Sequence, residues 1–241
     1  MQLDFLKSRS FVKEDMDDFA LEGEELISTI SGLSTINKFL GNSDAILGVL
    51  KPIIQHSDSS LTIIDLGCGG ADILLEIAAY ADKLNKEIYL TGIDGNPNII
   101  NLAKENNKAY PNLQFLDADI IDPNFSLPKC DILISTHFMY HFTDQQLITF
   151  LSKHSKNIQS KIIFSELQRS VFSYLGFQIL SFLLRFPKMI HSDGLKAISR
   201  SFRKRELDNI FIEAGVGKWT IQWKWAFRYL VEVELNSATF S

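Results

Sequence analysis

An open α/β sheet covered on both faces by helices is the architecture this sequence predicts, and three observations point to it. From Leu61 onward, short apolar runs alternate with amphipathic stretches. The runs are apolar almost throughout, as in LTIIDL and DILIST, which marks strands buried on both faces of a parallel sheet. The first of them opens directly into Gly67-Cys68-Gly69-Gly70 and then a helix, the context a ligand-binding glycine turn needs. Right-handed crossovers lay the helices over both sides, so the fold class is α/β, doubly wound and mostly parallel.

The elements follow in order. Residues 1–60 read as a helical N-terminal extension: Leu26, Ile27, Ile30, Leu33, Ile36, Phe39 and Leu40 recur at helical spacing. Gly41-Asn42-Ser43-Asp44 breaks that run before a second helix, Ile46 to Ile54. Residues 61–166 form the core: LTIIDL, a helix from Ile73 to Leu84, EIYLTGID, a helix from Asn98 to Asn106, LQFLDA, DILIST, a helix from Asp144 to Lys156, and KIIFSE. Asn96-Pro97 supplies an N-cap and a first-turn proline, and Thr143 with Gln146 forms a capping box. Residues 167–202, rich in leucine and aromatics, read as a helical lid insertion. Residues 203–241 hold a helix from Glu206 to Ala214, stopped by Gly215, and two closing strands near Trp219 to Trp223 and Phe227 to Glu234. That makes seven strands in a single domain, since no repeat or linker divides the chain.

Composition narrows the function. With 46% hydrophobic and 22% charged residues the chain can bury a full core. Its net charge of -5, with basic residues scattered, argues against a nucleic-acid partner. The basic cluster Arg200 to Arg205 (RSFRKR) reads as a solvated helix start. The apolar run from Val171 to Leu184 spans about 14 residues against the roughly 20 a membrane span requires, and no signal peptide is recognised, so a cytoplasmic location is expected. Cys68 in the glycine turn and Cys130 before a buried strand are expected to be free thiols, and no metal-ligand spacing surrounds either.

The glycine turn decides the cofactor. A dinucleotide fingerprint would carry a third glycine where Asp72 stands, and that charge would repel a pyrophosphate. Carboxylates such as Asp65 and Asp72 suit a cationic ligand instead. At the end of the second strand Asp94 is placed to accept both ribose hydroxyls. Gly95 and Asn96 would pass beneath the ribose and adenine, although Asn96 is equally explained as a helix N-cap.

Four segments together resemble the class I S-adenosylmethionine-dependent methyltransferases. DLGCGGAD is similar to their first motif, D/E-x-G-x-G-x-G, with Ala71 replacing the third glycine. TGIDGN follows at the second strand, LDADI resembles their F-x-x-x-D-A/I segment, and CDILIST resembles their fDlVv-S motif. The resemblance covers Leu61 to Glu166 and implies a Rossmann-like sheet. It places Asp65, Gly67, Cys68 and Gly69 at the methionine end of the cofactor, Asp119 and Ile120 at the adenine, and Ser135, at the end of the fourth strand, among the cofactor-binding residues. The product would be S-adenosylhomocysteine.

Methyl transfer chiefly requires the acceptor to be held in line with the reacting carbon. A phenolic acceptor must also lose its proton, which favours a base such as histidine. His141 and, behind it, His137, in HFMYHF beyond the fourth strand, are the catalytic candidates; the alternative for each is a histidine that donates to a backbone carbonyl or lines the pocket. Tyr140, Glu166, Arg169 and His191 are the candidates for binding the acceptor, with His191 and Asp193 in a turn, HSDG. The insertion reads as an apolar lid, a core helix, a homodimer contact or a weak membrane-surface element.

Outside the core, RSFVKEDMDD, GLSTINKFLG and WKWAFRYL resemble a bacterial subgroup that modifies phenolic or polyketide-type compounds. The expected activity is O-methylation of a small apolar or aromatic acceptor. The competing readings are a C- or carboxyl-methyltransferase, a nicotinamide-dependent oxidoreductase, and a protein that binds the cofactor without turnover.

Overall fold

A computed structural model describes residues 4–17, 23, 27, 30, 32 and 41–235. Among them seven strands form one sheet in the order β3-β2-β1-β4-β5-β7-β6. These are β1 (Leu61–Leu66), β2 (Ile88–Asp94), β3 (Leu113–Asp117), β4 (Cys130–Thr136), β5 (Ile158–Leu167), β6 (Lys218–Lys224) and β7 (Arg228–Glu234). The first five are parallel, and β7 runs antiparallel between β5 and β6.

Period-two alternation divides the core between the faces of the sheet. Ile63, Ile132, Ile134 and Ile163 point to one face, where α1 (Asn42–His56), α2 (Asp72–Lys83) and α3 (Pro97–Asn106) bury Leu50, Ile77 and Ile100. Ile64, Leu133 and Phe164 point to the other, against Phe150 of α4 (Asp144–His154) and Phe211 of α7 (Lys204–Ala214). The Asn96 side chain accepts from Asn98 N at the start of α3, and Thr143 with Gln146 closes the capping box of α4, as the sequence predicts. Helix α1 begins at Asn42, earlier than expected, because Gly41 in the left-handed region makes the turn. The predicted helical run before it falls mostly outside the described residues; Ile27 and Ile30 within it are helical.

The insertion forms two helices, α5 (Val171–Leu183) and α6 (Lys188–Arg200). His191 and Asp193 lie inside α6, not in a turn. Gly194 is there for packing: a Cβ would come 2.2 Å from the Phe177 ring of α5.

Of the predicted helical preface, Asn42–His56 is helical and the stretch from 18 to 40 lies mostly outside the described residues. Residues 4–17 contain two short 3-10 turns, Asp4–Leu6 and Asp15–Asp17, and are tied across the far side of the insertion. Arg9 donates to the carbonyls of Tyr140, Phe142 and Arg200 at 2.8–2.9 Å and lies over the Phe202 ring. Ser10 N donates to Ser199 O, and Asp15 N to Asp193 Oδ1. No helix among the described residues is long and apolar enough to cross a membrane. Cys68 and Cys130 are buried free thiols.

Candidate active site

The strand order reverses between β1 and β4, and a cavity of about 800 Å³ opens outside their carboxyl ends. The glycine turn forms its floor. Gly67 has φ 69°, and a Cβ there would lie 2.3 Å from the Phe138 ring, so the loop after β4 rests directly on the turn. Gly67 N and Cys68 N both donate to Ile93 O, tying the turn to β2. Beyond Gly69, where a Cβ would stand, there is open space.

The polar groups of this floor are acidic. Asp65 is buried, and its Oδ1 has no hydrogen-bond partner among the described residues. Burial, then the charge of Asp94, pushes its carboxyl well above the ordinary range. Asp94 Oδ2 accepts from Gly69 N (3.2 Å) and Oδ1 from Asn96 N (3.0 Å). These bonds fix its carboxylate at the end of β2 and leave lone pairs toward the cavity. Burial raises the Asp94 carboxyl against those backbone bonds. Two mutually repelling carboxylates at a cavity floor suit a cationic ligand.

Gly95, Asn96, Ile120 and Asp119 continue the wall. Asp119 is exposed, and its Oδ1 accepts from Ile121 N, so part of its capacity is spent in its own turn. Ser135 is a correction: it is fully buried, donates to Leu66 O at 2.9 Å and clamps β4 to β1, while Thr136 takes the wall position.

The loop after β4 brings Tyr140 and His141 into the cavity, their rings stacked at 4.4 Å. His141 Nδ1 lies 3.1 Å from Asp17 Oδ1. Asp17 also accepts from Arg200 (2.6 Å), whose same nitrogen is 3.2 Å from Glu14 Oε1. Tyr140 donates its hydroxyl to Glu14 Oε2 (3.4 Å). Burial alone would raise the Asp17 carboxyl, but His141 and Arg200 together hold it well below its ordinary value. Glu14 moves the other way: burial, then the charge of Asp17, pushes it up to about 8 against the pull of Arg200. Asp17 is therefore the anion of this cluster at neutral pH. His137 also lines the cavity, but burial, then Arg228, lowers it to about 3, which makes it a weak proton acceptor.

Three predicted acceptor-binding residues lie elsewhere. Glu166 is fully buried beneath the loop, where its Oε1 accepts from Phe138 N (3.2 Å) and Met139 N (2.9 Å). It sets the path of the loop without lining the cavity. Arg169 is also buried, its guanidinium taken up by Glu206 and the carbonyls of Leu6 and Ser201, because a buried charge is tolerable only when paired. His191 meets Ser181 Oγ at 2.6 Å and faces a groove on the other side of α6. In their place Glu14, Asp17 and Arg200 line the cavity. Their only sequence signal is the acidic run in RSFVKEDMDD and the arginine of RSFRKR, and nothing in either pattern joins them to His141. Arg200 is buried, contrary to the solvated reading of its cluster.

A parallel five-stranded core closed by an antiparallel pair, with acidic residues ending β1 and β2 around a glycine turn, defines a class I S-adenosylmethionine-dependent methyltransferase. A sequence profile of the methyltransferase domain matches residues 57–215, and the chain belongs to that family. It is 25% identical over 180 residues to a carboxy-S-adenosyl-L-methionine synthase of Campylobacter jejuni subsp. doylei, covering 70% of this chain and 74% of that protein. In fold it is similar to the plantazolicin methyltransferase bound to S-adenosylhomocysteine: TM-score 0.65, 15% identity, 87% of this chain and 90% of the other. A methyltransferase of Aquifex aeolicus is similar at TM-score 0.61 and 13% identity, covering 87% and 98%.

The chemistry of the donor set fits S-adenosylmethionine. Asp65 has an unpartnered oxygen for a cation, Gly69 leaves room for a ligand against the backbone, and Asp94 retains acceptor capacity for hydroxyls.

Proposed function

We propose that this enzyme methylates a hydroxyl of a small, apolar or aromatic acceptor, with His141 taking the proton. The observation that carries the reading is the Asp17–His141 pair on the wall of a largely apolar cavity that begins at the glycine turn. Ile179, Leu180, Leu183, Phe177 and Phe227 line the acceptor side. Such walls favour an apolar ring and exclude water.

Asp17 accepts from Nδ1–H, which leaves Nε2 as the basic nitrogen. As the acceptor oxygen attacks, its proton passes to Nε2 and its electron pair forms the new C–O bond. When bound, S-adenosylmethionine supplies the electrophilic methyl carbon, and the bond electrons return to sulfur to leave S-adenosylhomocysteine. Asp65, Gly67, Cys68 and Gly69 would hold the methionine end, Asp94, Gly95 and Asn96 the ribose, and Asp119 with Ile120 the adenine.

The name of the Campylobacter relatives raises a second reading, in which the cofactor itself is carboxylated. That reaction requires a group to hold the carboxylate, and the cationic side chains that line the cavity are Lys13 and Arg200, whose Nη1 already meets Glu14 and Asp17. Incubation with labelled S-adenosylmethionine and a panel of phenols, with bicarbonate and readily decarboxylated acids added as carboxyl donors, followed by mass spectrometry, separates the two. A phenol heavier by one methylene that has lost its free hydroxyl supports the proposal. A carboxylated cofactor with unchanged phenols contradicts it.

A further inference from the structure

Helix α5 is inverted. Its serines, Ser173 and Ser181, are buried, while Phe172 is 76% exposed, Ile179 61%, Phe182 80% and Leu183 68%. Ser173 Oγ donates to Gln168 O, and Ser181 Oγ to Gln178 O. A helix facing water presents the opposite pattern. Phe172, Ile179, Phe182 and Leu183 share one face through their helical spacing. The stripe continues onto the β6–β7 hairpin: Phe227 comes within 3.4 Å of where a Cβ on Gly176 would stand, and neighbouring Trp225 is 69% exposed. Ile179, Leu183 and Trp225 also line the cavity, so the patch borders its mouth. Isolated exposed apolar side chains are ordinary, but a contiguous patch marks a contact surface.

Charge selects the occupant. The chain carries a net charge of -5, yet residues 167–192 contain no Asp or Glu. Arg185 and Lys188 follow α5 and Lys224 precedes Trp225, and among the described residues none of the three is in an ion pair. Asp4, beside the Phe5 that packs on Tyr174, is paired with Lys7, and Asp193 with Lys196. A two-fold contact with a second copy would bring two such cationic, acid-free faces together. Anionic lipid headgroups complement them, and exposed aromatic and aliphatic side chains suit the headgroup boundary.

We infer that the outer face of α5, with Trp225, docks on an anionic lipid surface and turns the mouth of the cavity toward the bilayer. Entry of an apolar acceptor from the lipid is a consequence that rests on the function proposed above; the docking itself does not.

Co-sedimentation of the full chain with vesicles of phosphatidylcholine and phosphatidylglycerol tests this without turnover. The wild type is expected to bind the mixed vesicles, and Phe182→Asp, or Arg185→Glu with Lys188→Glu, to reduce the bound fraction about tenfold or more. None of these residues lines the cavity, so unchanged affinity for S-adenosylmethionine by calorimetry shows that each variant is folded. Failure of the wild type to bind, or equal binding by the variants, overturns the inference. So does a stable wild-type dimer that Phe182→Asp converts to monomer, because the face then belongs to a second copy.

Discussion

Asp17 Oδ1 lies 3.1 Å from His141 Nδ1, joining the N-terminal segment to the loop after β4 at the cavity wall. The carboxylate selects the tautomer of the ring, and Arg200 steadies the carboxylate. Asp17 is therefore a positioning residue for His141. Asp17→Asn should lower kcat about tenfold or more by analogy with other oriented histidine bases, with little change in KM, and Asp17→Glu should recover part of the loss. A merely structural role would move kcat and KM together and give no rescue, which steady-state kinetics distinguishes.

The ribose assignment stands on Asp94, whose oxygens already accept from Gly69 N and Asn96 N. Asp94→Ala should weaken S-adenosylmethionine binding by about 1.5–3 kcal/mol, the range for hydrogen bonds to a charged group. Calorimetry reads this directly, and unchanged affinity would remove Asp94 from the cofactor site.

Glu166 makes stability depend on pH. Burial, against the two backbone N–H bonds, raises its carboxyl from 4.5 to about 8, so the folded chain keeps a proton that the unfolded chain releases between those values. The associated stability is fully present below 4.5 and is lost as pH rises through about 8. Glu14, also raised to about 8, has the same sign, whereas His137, lowered to about 3, acts oppositely below 6.5. Between roughly pH 6.5 and 8 the carboxyls therefore dominate, each with a slope of at most about 1.4 kcal/mol per pH unit. Glu166→Gln should flatten the fall in unfolding free energy over that window, as measured by urea titration. An unchanged slope would show that Glu166 is ionised in the fold.

Gly194 lets α6 approach α5, with the Phe177 ring in the space a side chain would need. Gly194→Ala should destabilise the protein by about 1–3 kcal/mol, the usual cost of overpacking. Thermal melting checks it, and a neutral result would mean that the Phe177 ring moves aside freely.

Strands and the cofactor turn are legible in the sequence because local rules dictate them. LTIIDL and DILIST are apolar because both faces are covered, and the caps at Asn96 and Thr143 are read within four residues. Asp94 follows from its place at a strand end. Long-range pairing is not legible in this way. Asp17 and Glu14 reach His141 and Tyr140 only because Arg9 and Ser10 tie the N-terminal segment across the insertion. Arg169 resembles a substrate anchor until Glu206, on another helix, is seen to occupy it. HSDG has the composition of a turn, yet its glycine serves a helix–helix contact.

Single-turnover transfer of a tritiated methyl group to an accepted phenol, compared between wild type and His141→Ala at saturating S-adenosylmethionine, measures the proton-accepting role of His141. A loss of about a hundredfold or more with unchanged cofactor affinity is expected for a general base at this position. An undiminished rate would make His141 a wall of the cavity and remove the base from the proposed mechanism.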